Sequence, residues 1–157
     1  MTPMTRIARY ILLTLTLLAA TSSCTHNDGD IGPLFGSWIL DSMTLDGQPY
    51  TPDVDGYTCL QFQGKVIMAK IIDDRHSLLF YSVGSWERTD NTLYLDYTHS
   101  DNDTPPGEGA YSAPYWLMLT PNAVNEVSIL SLNSRHMHLR HITPDGDIVE
   151  YTFHKTF

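Results

Sequence analysis

His136-Met137-His138-Leu139-Arg140-His141-Ile142 and Ile148-Val149-Glu150-Tyr151-Thr152-Phe153, joined by Thr143-Pro144-Asp145-Gly146-Asp147, decide the fold. Successive side chains of a strand point to opposite faces. The first run therefore puts Met137, Leu139 and His141 on one side, and His136, His138 and Arg140 on the other. Pro and Asp-Gly between two such runs signal a hairpin.

The same grammar extends back through the chain. Short β-type runs cover residues 35–45, 57–62, 65–72, 77–87, 92–97, 115–119 and 126–132. In the run at 77–87, Leu79, Tyr81 and Val83 share one face, and Leu78, Phe80 and Ser82 the other. Asp46-Gly47, Gly64 and Asp90-Asn91 supply turns, and residues 99–113, with Pro105, Pro106, Gly107 and Gly109, form the one long loop. Residues 123–130 are the one stretch past the first thirty residues that also admits a helical reading. Eight or nine short strands separated by turns predict an all-β domain of mostly antiparallel neighbours, a pattern that barrels and sandwiches both satisfy.

The first thirty residues have a different character. Arg6 and Arg9 precede an apolar run at 11–20, then Thr21-Ser22-Ser23 and Cys24. The run is too short to cross a ~30 Å hydrocarbon core as a helix and suits the h-region of a signal peptide. A cysteine after small residues at this place resembles the lipobox of bacterial lipoproteins, with Thr21 where a leucine is usual. That resemblance implies a signal peptide at 1–23, lipid on Cys24, a short polar tether at 24–33 and a domain at 34–157. It also implies a cell-envelope address held to a membrane by acyl chains, the outer membrane being the expected one. An ordinary secretory signal with an incidental Cys24 is the alternative.

Of the 157 residues, nine are Lys or Arg and eighteen Asp or Glu. Loss of Arg6 and Arg9 with the signal leaves seven against eighteen, a formal net of −11. An acidic domain is a poor match for nucleic acid, whose binding rests on neutralising phosphates. With Cys24 carrying lipid, Cys59 is the single remaining thiol, so an apolar core rather than a disulfide must hold the domain.

Gly36-Ser37-Trp38 opens the first run just after the tether, and the order of runs and turns continues to Met137-His138-Leu139-Arg140 and Ile148-Val149-Glu150-Tyr151. This frame resembles the lipocalins and related calycins. The resemblance implies a single antiparallel eight-stranded β-barrel, with Gly36 and Trp38 as structural signature. Trp38 would plug the closed end, and Arg140 is the expected basic partner over its ring.

No enzyme motif is present: the chain has no Gly-x-Ser-x-Gly elbow, His-Glu-x-x-His, phosphate loop or Cys-x-x-Cys. No catalytic residue, cofactor or metal site is therefore expected. His136 and His138 share a strand face, but no spaced cysteine or carboxylate completes a ligand set, so a solvated face is the simpler reading. In the acidic loop from Asp101 to Glu108, Asp101-Asn102-Asp103 runs into Pro105 and Pro106 rather than the Asn/Asp-Gly a calcium loop needs. Cys59 reads as a small buried hydrophobe.

Aromatic residues remain. Tyr81, Trp86, Tyr94, Tyr97, Tyr115 and Trp116 flank the long loop at the expected barrel mouth and are the candidate ligand-binding set. Two functions follow: a tethered barrel that binds a small, partly apolar ligand without catalysis, or a filled barrel that contacts another envelope protein. An eight-stranded barrel has just enough interior for either.

Overall fold

The computed structural model describes residues 29–99 and 111–156, so Cys24, the segment before it and the acidic residues of the long loop lie outside the described residues. The period-two runs form nine strands. They are β1 (Gly36–Leu45), β2 (Gln48–Tyr50), β3 (Tyr57–Gln63), β4 (Val66–Ile72), β5 (Leu78–Thr89), β6 (Thr92–Asp96), β7 (Val124–Leu132), β8 (His136–Ile142) and β9 (Ile148–Thr156).

From β3 to β9 each strand pairs antiparallel with the next. β1 closes the ring: its start pairs with β3, from Gly36↔Phe62 to Ile39↔Cys59, and β9 runs along it from Ser37↔Thr156 to Leu45↔Val149. β2 is a short arm folded onto the far end of β1, Met43 to Leu45 against Gln48 to Tyr50. Eight strands thus make a closed antiparallel barrel, which removes most of the free edges of an open sheet. Among the described residues no helix is long and apolar enough to cross a membrane.

Alternation decides what lies inside. On β7, the buried Asn125, Val127 and Ile129 alternate with the exposed Val124, Glu126, Ser128 and Leu130, so the stretch that admitted a helix is a strand with one core face. On β8, Met137, Leu139 and His141 are buried between the outward His136, His138, Arg140 and Ile142. Inward side chains from all eight strands meet in one core centred on Trp38, Phe62, Tyr97, Met137 and Phe153.

Antiparallel connections alternate between the two barrel ends. The tight turns after β3, β5 and β7 lie at the end where the chain enters β1, the closed end. The turns and loops after β1, β2, β4, β6 and β8 lie at the other, the mouth.

The expected strand at 115–119 is not one. Tyr115–Leu117 form a single 3₁₀ turn, followed by Met118 in the left-handed region at φ 54°. Pro114 fixes its own φ at −69° and offers no N–H to a ladder; its carbonyl instead accepts from Leu117 N at 3.0 Å. β2 was not visible in advance: it has three residues, one of them Pro49, which only an edge arm tolerates.

Candidate functional site

The closed end is built on Trp38. Its ring is fully buried, as is Leu34 from the preceding segment. Trp38 Nε1 donates to Leu34 O at 2.8 Å. Lys155 is the register partner of Trp38 on β9, which puts both side chains on one face. Its Nζ stands 5.2 Å from the ring centroid and donates to Pro33 O at 3.0 Å. Gly36 is required here: it sits at φ 112°, and a Cβ would lie 3.1 Å from Lys155 Cε.

The expected partner, Arg140, is elsewhere. It faces outward on β8, where its Nε and Nη2 both donate to Glu150 Oε1 at 2.9 and 2.6 Å. The pleat gives the reason: Arg140 shares the outward face of His136 and His138, whereas Trp38 points inward.

At the mouth, residues 113–119 fold down into the barrel. Ala113, Trp116, Leu117 and Leu119 are buried. The segment is pinned at three places. Ser82 Oγ donates to Ser112 O at one end. At the other, Asn125 Oδ1 accepts from Thr120 N at 2.6 Å, and its Nδ2 donates to Thr120 O at 3.0 Å. In the middle, Tyr151 Oη donates to Leu117 O at 2.5 Å. The space left among Leu60, Leu95, Leu117, Leu119, Val127, Leu139, Tyr151 and Phe153 is about 10 Å³. That holds at most about one water.

No protein-family model matches the chain, and no curated protein matches it in sequence. Solved structures do. A lipocalin-like protein from Bacteroides uniformis superposes at a TM-score of 0.55 and 16% identity, over 80% of this chain and 100% of its own. An uncharacterised protein from Bacteroides eggerthii gives 0.55 and 16%, over 78% of this chain and 99% of its own. The fold is lipocalin-like. At such identity the likeness carries architecture alone.

The six aromatic candidates do not converge in this lipocalin-like barrel. Trp86 and Tyr97 are core residues: Trp86 packs edge-on against Phe62 at 5.4 Å, and the Tyr97 ring lies over Gly84. Trp116 belongs to the plug, within 5.3 Å of both Phe80 and Tyr115. Tyr81 and Tyr115 are exposed, and Tyr94 lies half-buried between the buried Leu93 and Leu95 of β6, on the outer face. Alternation along β5 and β6 splits a set that the linear sequence had grouped.

Four buried polar atoms have no hydrogen-bond partner among the described residues: Trp86 Nε1, Tyr97 Oη, Trp116 Nε1 and His141 Nε2. His141 Nδ1 lies 2.9 Å from Glu126 O and donates to it, which leaves Nε2 as the ring nitrogen without a partner among the described residues. Burial raises the pKa of Tyr97, and burial followed by the nearby Tyr97 raises that of Tyr151, so neither hydroxyl supplies a base near neutrality.

The outer wall of β8 and β9 carries ion pairs. His138 Nε2 donates to Glu150 Oε2 at 3.0 Å, beside Arg140, and His154 Nδ1 lies 2.6 Å from Asp41 Oδ1. Among the described residues no three His, Cys, Asp or Glu groups come together as a metal cage. Cys59 is buried on β3; burial, ahead of the opposing Lys70 charge, raises its thiol pKa, which makes it a poor nucleophile.

Proposed function

We propose that the protein is a lipid-tethered, non-catalytic module of the cell envelope that acts through its outer surface rather than as a container. The observation that carries this reading is the little space that the described residues leave in the core, about 10 Å³ beneath Leu117 and Leu119, whereas the larger cleft, about 450 Å³, opens along β7 and β8 over Glu126, Ser128, Arg140 and Pro144. Pockets for drug-sized ligands run to ~300 Å³ or more. Lipid on Cys24 would hold the domain to a membrane, with the outer membrane the proposed site. The acidic balance, seven Lys and Arg against eighteen Asp and Glu after processing, leaves nucleic acid out of the proposed partners.

Native mass spectrometry of the protein from Asp28 onward, set against its denatured mass, tests the reading. Equal masses are expected. A non-covalent excess of a few hundred daltons overturns it. Cys24→Ser tests the anchor separately: the variant should leave the membrane fraction for the soluble one.

A second reading keeps the barrel as a container for a small, partly apolar ligand that displaces residues 113–119. The four unpartnered polar atoms support it, since each buried group left unpaired costs about 1–3 kcal/mol. A ligand bearing a hydroxyl or carboxyl could relieve part of that cost. The mass excess described above is the result this reading requires.

A further inference from the structure

His136 and His138 share the outward face of β8, but β9 supplies a nearer neighbour. His154 is the register partner of His136, and each alternates with a buried residue, Met137 on β8 and Phe153 on β9. One step further out, Lys155 N donates to Arg135 O at 2.8 Å. The two histidines are therefore a non-hydrogen-bonded pair, the kind whose side chains stand closest. Their Cβ atoms are expected roughly 4.5–5.5 Å apart, against roughly 6.6 Å for residues two apart on one strand. The linear sequence groups His136 with His138; the hairpin sets it against His154.

A third residue fixes one of these rings. The β1–β9 register slips between Leu40 and Ser42, which leaves Asp41 as the unpaired residue of a bulge. Bulges re-aim a side chain, and Asp41 Oδ1 lies 2.6 Å from His154 Nδ1. With Nδ1 donating to that carboxylate, Nε2 is the nitrogen left to bind an ion. A carboxylate on the far ring nitrogen is the common support of a metal-ligating histidine, since it sets the tautomer and raises basicity. Both side chains are 41% exposed, so the ring is open to solvent. His138 is engaged differently, its Nε2 on Glu150 Oε2 at 3.0 Å.

We propose that His136 and His154 form an outer-wall site for a divalent transition metal, copper(II) ahead of zinc(II), with Asp41 as the positioning residue for His154 and water completing the coordination. Two imidazole nitrogens on one ion lie about 2 Å from it and about 3 Å from each other, a span that side chains on directly opposed Cβ atoms can close. Imidazole suits both ions, and copper(II) leads the general affinity order. Two protein ligands fall short of the three or four of a resident zinc site, in keeping with the lack of a three-group cage among the described residues.

Charge on this wall favours a cation. Asp41 and Glu150 face it, the Arg140 guanidinium is already bonded to Glu150, and the Lys155 ammonium lies over Trp38. Arg135, in the turn before β8, is the opposing charge. The site lies outside the barrel, so it stands or falls apart from either reading of the interior.

The test is titration of the full-length protein in detergent micelles with copper(II) chloride, with calorimetry for affinity and electron paramagnetic resonance for the ligand atoms. One copper per chain with two nitrogen ligands is expected, and zinc(II) chloride should bind more weakly. His136→Gln and His154→Gln should each weaken binding at least about tenfold. Asp41→Asn should weaken it about ten- to a hundredfold, and Asp41→Glu should recover part of that loss. His138→Gln should leave it unchanged, and the metal-free thermal midpoints of His136→Gln and His138→Gln should match that of the parent. Equal copper affinity in His136→Gln and His154→Gln would overturn the proposal. So would loss of copper in His138→Gln, or in His26→Gln on the tether, or a parent protein that binds no tighter than the double variant His136→Gln/His154→Gln. Full affinity in Asp41→Asn would overturn the role of Asp41, and tighter binding of zinc(II) the order of the metals.

Discussion

The Lys155 ammonium stands 5.2 Å over the Trp38 ring and donates to the Pro33 carbonyl, so one side chain ties the last strand to the first and to the entering chain. Lys155→Ala should cost about 1–2 kcal/mol, a few degrees in Tm. Lys155→Met, which keeps the apolar stem, should cost less. Arg140→Met should leave the Trp38 environment alone. Thermal melts followed by tryptophan fluorescence separate the three, and a blue or red shift of native emission in Arg140→Met would argue against the assignment of Lys155.

Two buried tyrosines predict opposite outcomes. Tyr151 Oη holds Leu117 O at 2.5 Å, whereas Tyr97 Oη has no partner among the described residues. Tyr151→Phe leaves a buried carbonyl unpaired and should destabilise by about 1–3 kcal/mol. Tyr97→Phe removes an unsatisfied hydroxyl and should be neutral or stabilising. A marked loss of stability in Tyr97→Phe would mean that its hydroxyl is bound, by water or by a ligand, which would favour the container reading.

The strands were legible where the signal is local. Met137, Leu139 and His141 alternate with His136, His138 and Arg140, and Asp145-Gly146 marks the turn between their strand and the next. What was hidden is non-local. The alternation of β8 already sets Arg140 on the outward face, but that Lys155 is the residue over Trp38 follows only from their pairing across the barrel closure. Residues 115–119 are as apolar as a strand, and Pro114 was the one local hint that they turn instead. The aromatic set was chosen by nearness along the chain, whereas pleating sends Trp86 inward and Tyr94 outward.

Gly84 is held by space rather than by its dihedrals. A Cβ there would lie 2.7 Å from Asp96 O and 2.8 Å from Tyr97 Cε1. The first neighbour is backbone and cannot step aside. Gly84→Ala should therefore cost about 1–3 kcal/mol or more, seen as a lower urea midpoint with an unchanged slope. Adding Tyr97→Leu should recover part of the loss, because the Asp96 contact persists. Full recovery would show that the ring alone sets the limit.

Glu150 gives the barrel a defined acid response. Hydrogen bonds from Arg140 are the largest influence on its carboxyl and lower its pKa; burial opposes them, and His138 adds to the lowering. The folded pKa therefore lies below the unfolded value of about 4.3. As pH falls, the unfolded chain takes up the proton first. The contribution of this carboxylate is complete above about pH 4.3 and disappears as pH drops through the folded pKa. Being half exposed, the pair is worth no more than about 1 kcal/mol. Arg140→Gln should lower the urea midpoint at pH 7, and its curve should converge on that of the parent protein towards pH 2.5. A difference that stays constant from pH 7 to 2.5 would mean that Arg140 acts through its packed stem rather than through its charge on Glu150.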